Sequence, residues 1–141
     1  MKNLKKLLRD NRGFTLTELM IVIVIIGILA SIGIPRFMAV TTRAKAVEFK
    51  PLLQQIYSLE ENYYSENDTY TPDLGLLGFD DPKAKYFTFT VTADSNSFTA
   101  TATCSGDLKG EKGESLRGQM VSVDQNEEHR GDMALRRIAR W

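Results

Sequence analysis

The sequence predicts an α+β fold in which one long N-terminal helix packs on a small antiparallel sheet of three to four strands. Two observations support this fold class. From Leu19 to Ile34 the chain is uncharged and almost wholly apolar, and a stretch with helical spacing follows. Further along, two segments of β-branched and aromatic residues flank a short turn, as in a β-hairpin.

The apolar segment is long enough to cross a membrane. Phe14 to Ile34 comprises 21 residues, and a helix of that length reaches roughly 31 Å, about the thickness of a bilayer's hydrocarbon core. A buried helix of a soluble domain fits poorly, because this segment has no polar face at any angle. We therefore expect a transmembrane helix over residues 14–35, with Pro35 bending the chain at its end.

One carboxylate, Glu18, lies inside this apolar segment and needs a partner. It would cost on the order of 2.5 kcal/mol at the middle of a bilayer, and less near an edge. No Lys, Arg or His lies between Phe14 and Pro35. A cut between Gly13 and Phe14 would create an α-amino group near that depth. The amine of a neighbouring copy at ~4 Å would attract Glu18 by ~4 kcal/mol before desolvation. The segment is therefore predicted to self-associate as well as to anchor.

The charges before the apolar segment predict its orientation. Residues 1–13 contain five Lys or Arg residues and one Asp. A basic stretch before an apolar helix stays on the cytoplasmic side, which places the C-terminal part outside. A secretory signal peptide is cut after its apolar core, whereas the candidate junction here precedes the core. The helix is thus expected to remain in the mature chain.

Residues 36–66 predict an amphipathic helix, which Pro51 should kink. Residues 67–141 are expected to form a globular head. It begins with a loop to Lys85, which five apolar residues pin to the helix: Tyr70, Leu74, Leu76, Leu77 and Phe79.

Strands are predicted at 86–92, at 97–104 and near Met120–Val123. The inward positions of the hairpin are Phe87, Phe89, Val91, Phe98, Ala100, Ala102 and Cys104. Residues 105–118 predict a polar loop, and 125–141 a charged tail with a helical end.

No pattern in the chain indicates an enzyme, a cofactor or a metal. There is no HExxH, no paired cysteine cluster, no phosphate-binding glycine loop and no candidate triad. The only cysteine, Cys104, is interpreted as a small apolar strand residue. His129, the only histidine, lies in the polar tail. The arginines beside Trp141 are expected to meet water or a neighbouring subunit rather than nucleic acid.

The N-terminal residues resemble the type IV prepilins and the pseudopilins of type II secretion. The resemblance rests on a short basic leader ending in Gly13, on Phe-Thr-Leu-Thr-Glu at positions 14–18, and on the apolar helix that follows. It implies that a prepilin peptidase cuts between Gly13 and Phe14 and methylates the new amine of Phe14. It further implies that Glu18 pairs with the Phe14 amine of an adjacent subunit.

The function implied by the resemblance is that of a structural subunit of a type IV pilus, with a type II secretion pseudopilin as the alternative. An assembly ATPase and a platform protein in the inner membrane would polymerise the subunit into a filament of identical copies. The precursor would wait in the bacterial inner membrane with a cytoplasmic N-terminus, and later occupy a surface pilus or a periplasmic pseudopilus. The alternative of another class is an uncleaved, single-pass anchored binding domain, which leaves Glu18 without a partner.

Replacing Gly13 by Leu is expected to block processing, because glycine lets an extended backbone approach a protease closely. Gly13→Ala should reduce cutting and Gly13→Leu should abolish it. Immunoblots of cells with an active prepilin peptidase should then show the longer precursor. Complete processing of Gly13→Leu would move the cleavage site elsewhere.

Overall fold

The computed structural model describes residues 13–80, 83–110 and 113–141, so most of the predicted leader, residues 1–12, lies outside the described residues. The chain divides into two compact units. The first ends at Met38. The second, called the head below, runs from Ala39 to Trp141.

Two helices occupy the N-terminal half of the chain. Helix α1 spans Leu16–Ala46 and continues through Pro35, and helix α2 spans Phe49–Asn67. A turn at residues 47–48 therefore divides the helix predicted over 36–66. Pro51 accounts for the turn, because it has no N–H to donate to the carbonyl of Val47. That carbonyl instead accepts the N–H of Lys50 at 3.1 Å. The bends predicted at Pro35 and Pro51 stay predictions.

The sheet is a four-stranded antiparallel meander. Its strands are β1 (Phe87–Ala93), β2 (Phe98–Cys104), β3 (Met120–Asp124) and β4 (His129–Gly131), hydrogen-bonded in that order. Phe87 pairs with Cys104, Ala100 with Val123 and Val121 with Gly131. The α+β prediction and the three predicted strands are confirmed. Strand β4 was missed, because three residues in a charged stretch leave no alternating pattern to recognise.

The two faces of the β1–β2 hairpin differ sharply in composition. The inward positions are apolar and mostly buried, as predicted, and Cys104 is among them with 1% exposure. The outward positions are all threonine: Thr88, Thr90, Thr92, Thr99, Thr101 and Thr103. β-Branched threonine suits a strand and carries no charge, so this outer face is polar but neutral.

The core lies between α2 and the inner face of the sheet. Every third or fourth residue of α2 is fully buried: Phe49, Leu53, Ile56 and Glu60. The ring of Phe49 packs edge-on against Phe87 and Trp141, each with ring centroids 5.2 Å apart. The Phe49 side chain therefore joins the helix, the first strand and the C-terminal residue.

The C-terminal segment closes this core, which the sequence did not predict. Helix α3, Met133–Ala139, buries Leu135, Ile138 and Ala139. His129 stacks on Trp141 with ring centroids 3.9 Å apart, and the indole N–H of Trp141 donates to the carbonyl of Ser122 at 3.3 Å. The charged tail is thus partly a core element.

Two loops also depart from the predicted pattern. Leu108 and Leu116 are buried in the core, although they lie in a stretch predicted to be polar. In the loop after α2, Leu77 and Phe79 are buried as expected. Leu76, by contrast, is 65% exposed and does not pin the loop. Adjacent leucines in a loop point in different directions, and spacing alone does not say which is inward.

We predict that a fragment from Arg36 to Trp141 folds cooperatively and that its stability depends on Phe49. The buried apolar core described above lies within the head. Phe49→Ala should lower the free energy of unfolding by about 3–5 kcal/mol through the cavity it leaves. Met133→Ala is the matched control, because Met133 is 74% exposed and should change stability by less than about 0.5 kcal/mol. Equal urea midpoints for the two variants would contradict this account of the core.

The carboxyl group of Glu60 is buried within the same core. Its Oε2 accepts the backbone N–H of Thr71 at 3.2 Å, while Oε1 has no hydrogen-bond partner among the described residues. Burial raises the pKa of Glu60, the bond from Thr71 opposes that rise, and the nearby charge of Glu61 adds to it. The folded head therefore keeps the Glu60 proton to a higher pH than the unfolded chain does.

This burial predicts a pH dependence that Glu60→Gln should remove. The pKa of Glu60 is higher in the folded head than the ordinary value of 4.5. The unfolded chain therefore loses this proton first, and the free energy of unfolding falls as the pH rises from 4.5 through the pKa of Glu60 in the folded head. Glutamine stays neutral and keeps an acceptor for Thr71. Urea unfolding between about pH 4 and pH 8 should show a shallower loss of stability for Glu60→Gln than for the parent fragment. Glu66→Gln, on the exposed part of α2, is the control. An unchanged slope in Glu60→Gln would remove Glu60 as the cause.

Candidate functional site

The site predicted from the sequence begins at a non-helical stretch, Gly13–Thr15, just before α1. Gly13 and Phe14 are both exposed, and the Phe14 side chain is 79% accessible. Among the described residues, no atom outside Gly13 and its chain neighbours lies within 4 Å of the position that a Cβ of Gly13 would take. The peptide bond between these residues is therefore accessible to a protease, and the chain itself does not oppose a larger side chain at position 13.

A reciprocal set of hydrogen bonds joins Thr15 and Glu18 at the start of α1. Both the backbone N–H and the hydroxyl of Thr15 donate to Glu18 Oε2, at 2.9 and 2.8 Å. The backbone N–H of Glu18 donates to Thr15 Oγ1 at 3.2 Å. The carbonyl of Thr15 accepts the first helical bond, from Leu19 at 3.2 Å. Thr15 is thus the N-cap of a capping box and Glu18 its third helical residue.

The capping box explains how an apolar helix can carry this carboxylate. The N-terminus of a helix bears a partial positive charge, which favours an anion there. Two donated hydrogen bonds on Oε2 replace part of the hydration that Glu18 loses in an apolar medium. Such a cap typically stabilises a helix by about 0.5–2 kcal/mol. Both bonds end on the same oxygen, so the capping box does not use Oε1.

The side chains that follow form an unbroken apolar surface. Between Leu19 and Ile34 the large apolar side chains are 46–64% exposed. Among the described residues, one helix is long and apolar enough to cross a membrane, judged by its length and composition. Its most hydrophobic stretch has a mean hydropathy of 2.5 and is not buried within the chain. Such a surface is stable only in lipid or against other apolar helices.

The structure brings three predicted site residues together, Gly13, Phe14 and Glu18, within the first helical turn and the residues before it. Their roles in cleavage, methylation and assembly remain predictions. Pro35 and Pro51 lie further along the helices and do not take part in this cluster. No role was predicted for Thr15, although Thr-x-x-Glu before an apolar run is a recognisable capping signal. The described residues contain no group of side chains arranged to hold a metal ion.

Comparison with protein families gives two adjacent matches that cover most of the chain. Residues 8–34 match the family described as the prokaryotic N-terminal methylation motif. Residues 35–115 match the family described as type IV minor pilin ComP, DNA uptake sequence receptor. The first match contains the capping box and the apolar surface, and the second contains α2 and the β1–β2 hairpin.

Curated relatives agree with these matches. The type IV major pilin protein PilA of Myxococcus xanthus is 42% identical over 83 residues, which is 59% of this chain and 38% of that protein. The type IV wide pilus major component PilA4 of Thermus thermophilus is 36% identical over 102 residues, covering 70% of this chain and 78% of the relative. The type IV major fimbrial protein FimA of Dichelobacter nodosus is 34% identical over 128 residues, covering 88% of this chain and 73% of the relative. The match thus spans about two fifths of the Myxococcus protein and about three quarters of the other two.

Proposed function

The chain belongs to the type IV pilin family and is a structural subunit of a pilus, and from this premise we propose how it is processed and assembled. The precursor is held in the bacterial inner membrane by α1, with residues 1–13 in the cytoplasm. A prepilin peptidase cuts between Gly13 and Phe14 and methylates the new amine. An assembly ATPase and platform proteins then move the subunit from lipid into a filament of identical copies.

The observation that carries the proposal is the combination of an accessible Gly13–Phe14 bond with a capped carboxylate four residues later. While the subunit is in the membrane, Thr15 and the helix N-terminus stabilise the charge of Glu18. On assembly, the Phe14 amine of an adjacent subunit approaches the same carboxylate and neutralises it. The apolar side chains of α1 exchange contacts with lipid for contacts with the helices of other subunits, and these two kinds of contact differ little in energy. The ionic interaction of Glu18 is therefore the one that favours the filament over the bilayer.

The type II secretion pseudopilin is the less favoured alternative, because the relatives described above carry the names of type IV pilins and fimbriae. An uncleaved anchored binding domain is disfavoured by the methylation-motif match. The name of the ComP family includes a DNA receptor. We propose a filament role rather than a DNA receptor for this chain, since the outer face of its β1–β2 hairpin is neutral and the arginines clustered along the sequence, Arg136, Arg137 and Arg140, lie on one short helix and its cap.

Glu18→Gln tests the assembly step. The amide keeps the shape of the side chain and removes the charge, so membrane insertion and cleavage should persist. Filament yield should fall by about tenfold or more, because the incoming amine loses its counter-charge. The measurement compares processed subunit in the membrane fraction with sheared filament, in a strain that makes only the variant.

Two further variants separate the charge from the cap. Thr15→Val removes the hydroxyl that bonds Glu18 but leaves the carboxylate, and should reduce yield less than Glu18→Gln does. Thr17→Val, a polar-to-apolar change two residues further along, should leave yield near that of the parent chain. Normal filament yield from processed Glu18→Gln subunits would eliminate electrostatic docking from the proposal.

A further inference from the structure

The sheet has two edge strands, β1 and β4, and they differ in how well they are protected. An edge strand carries backbone N–H and C=O groups that another strand can bind, and short length or charge on the strand discourages such pairing. Strand β4 has both protections, because it is three residues long and contains Arg130. Strand β1 has neither, since its seven residues include no charge, no proline and no glycine. Strand β1 is therefore the edge that is open to a partner.

The hydrogen bonds of the β1–β2 hairpin show which backbone groups of β1 face the open side. At the turn, the N–H of Asp94 donates to the carbonyl of Ser97 at 2.9 Å. Hydrogen-bonded pairs alternate along an antiparallel ladder, so the even-numbered residues of β1 bond β2. Phe89, Val91 and Ala93 direct their N–H and C=O groups to the open side. Within the described part of the chain, no hydrogen bond reaches these three residues from that side.

A groove runs beside the open edge of β1. Its walls are residues 72–75 of the loop after α2 and residues 89–91 of the strand. The loop packs on the inner side of β1, where Phe79 contacts Phe89 with ring centroids 6.0 Å apart and Leu74 packs against the core. The loop thus covers inward side chains of the strand, while the groove leaves the strand's backbone accessible to an extended segment.

We propose that β1 of one head pairs antiparallel with β1 of a second copy, in a register centred on Thr90, and that this contact joins filaments side by side. Thr90 is the middle residue of the strand that borders the groove. In this register Phe89 lies opposite Val91 of the other copy, so free N–H and C=O groups meet. The outward residues of β1 are threonines in both copies, so no charge opposes the pairing. This inference rests on the filament of the proposed function.

The symmetry of the contact places the second copy in another filament. Two β1 strands use the same surface, so their contact is isologous and closes on two subunits. The proposed pairing of Glu18 with the Phe14 amine joins two different surfaces and builds a filament with a direction. No two subunits of such a filament are related by a two-fold axis, so the partner strand comes from a second filament. Each filament presents one open strand per subunit, and many weak contacts in register strengthen one another.

Thr90→Lys should separate the filaments. The two introduced ammonium groups would lie opposite each other at the centre of the paired strands, where like charges oppose pairing. The fraction of sheared filament that sediments at low speed as bundles should fall by about tenfold, because every contact along the filament is weakened. Thr101→Lys is the matched control, since Thr101 pairs with Thr90 on the same outward face but belongs to the interior strand β2. Its bundles should persist.

Cysteine substitutions test the register and the source of the partner strand. Residues opposite each other at a non-hydrogen-bonded position have Cα atoms about 4.5 Å apart, which a disulfide can bridge. Thr90→Cys filaments should form cross-linked subunit dimers with a mild oxidant, and Thr101→Cys filaments should not. Thr88→Cys and Thr92→Cys filaments should cross-link only after separate preparations are sheared, mixed and allowed to reassociate, because this register places Thr88 opposite Thr92. The native Cys104 is 1% exposed and does not compete.

Failure of this inference and failure of the proposed function give different results. The inference is overturned if parent filaments form but stay single, if Thr90→Lys and Thr101→Lys filaments bundle alike, or if the mixed cysteine preparations yield no dimers. Dimers in an unmixed Thr88→Cys preparation would overturn the register. If Thr90→Lys subunits do not assemble, the cysteine variants, which add no charge, decide the question. A parent strain that makes no filaments would instead refute the proposed function.

Discussion

The rest of this structure depends on one constraint: a long helix whose N-terminal half is apolar on every side must be kept out of water. The side chains of Leu19–Ile34 are not buried by other described residues of the chain. The helix also has no polar face that it could turn toward water. Lipid and a bundle of like helices are the two environments that satisfy them. A pilin passes from one to the other, and hydrophobicity alone hardly distinguishes the two. In the proposed assembly step a localised charge distinguishes them, and Glu18 supplies it at the end of the helix where it is bonded by Thr15 in the capping box.

The head meets a different requirement, because its fold must persist while the environment of α1 changes. Its core is built from α2, the sheet and the C-terminal segment, all of which lie within one compact unit. Phe49 contacts both Phe87 and Trp141, so residues from three distant parts of the sequence pack around one ring. The turn at residues 47–48 lies at the start of this core, where Pro51 removes a hydrogen bond that a continuous helix would need. We infer that the head's stability does not require the apolar surface of α1.

The surface of the head separates its polar chemistry by region. The outward face of the β1–β2 hairpin is neutral and rich in threonine, whereas α3 and its cap carry three exposed arginines.

The sequence by itself determined the helix and the hairpin, because each depends on local pattern, and it predicted a processing junction. A run of apolar residues predicts a spanning helix, and strict alternation predicts the second strand. The predicted junction rests on the resemblance of Gly13, Phe14 and Glu18 to the prepilin pattern. Only the tertiary structure decided which residues of irregular stretches complete the core. Leu108, Leu116 and the α3 residues Leu135 and Ile138 have no distinguishing spacing, and Trp141 is half-buried against Phe49 because the chain returns to α2.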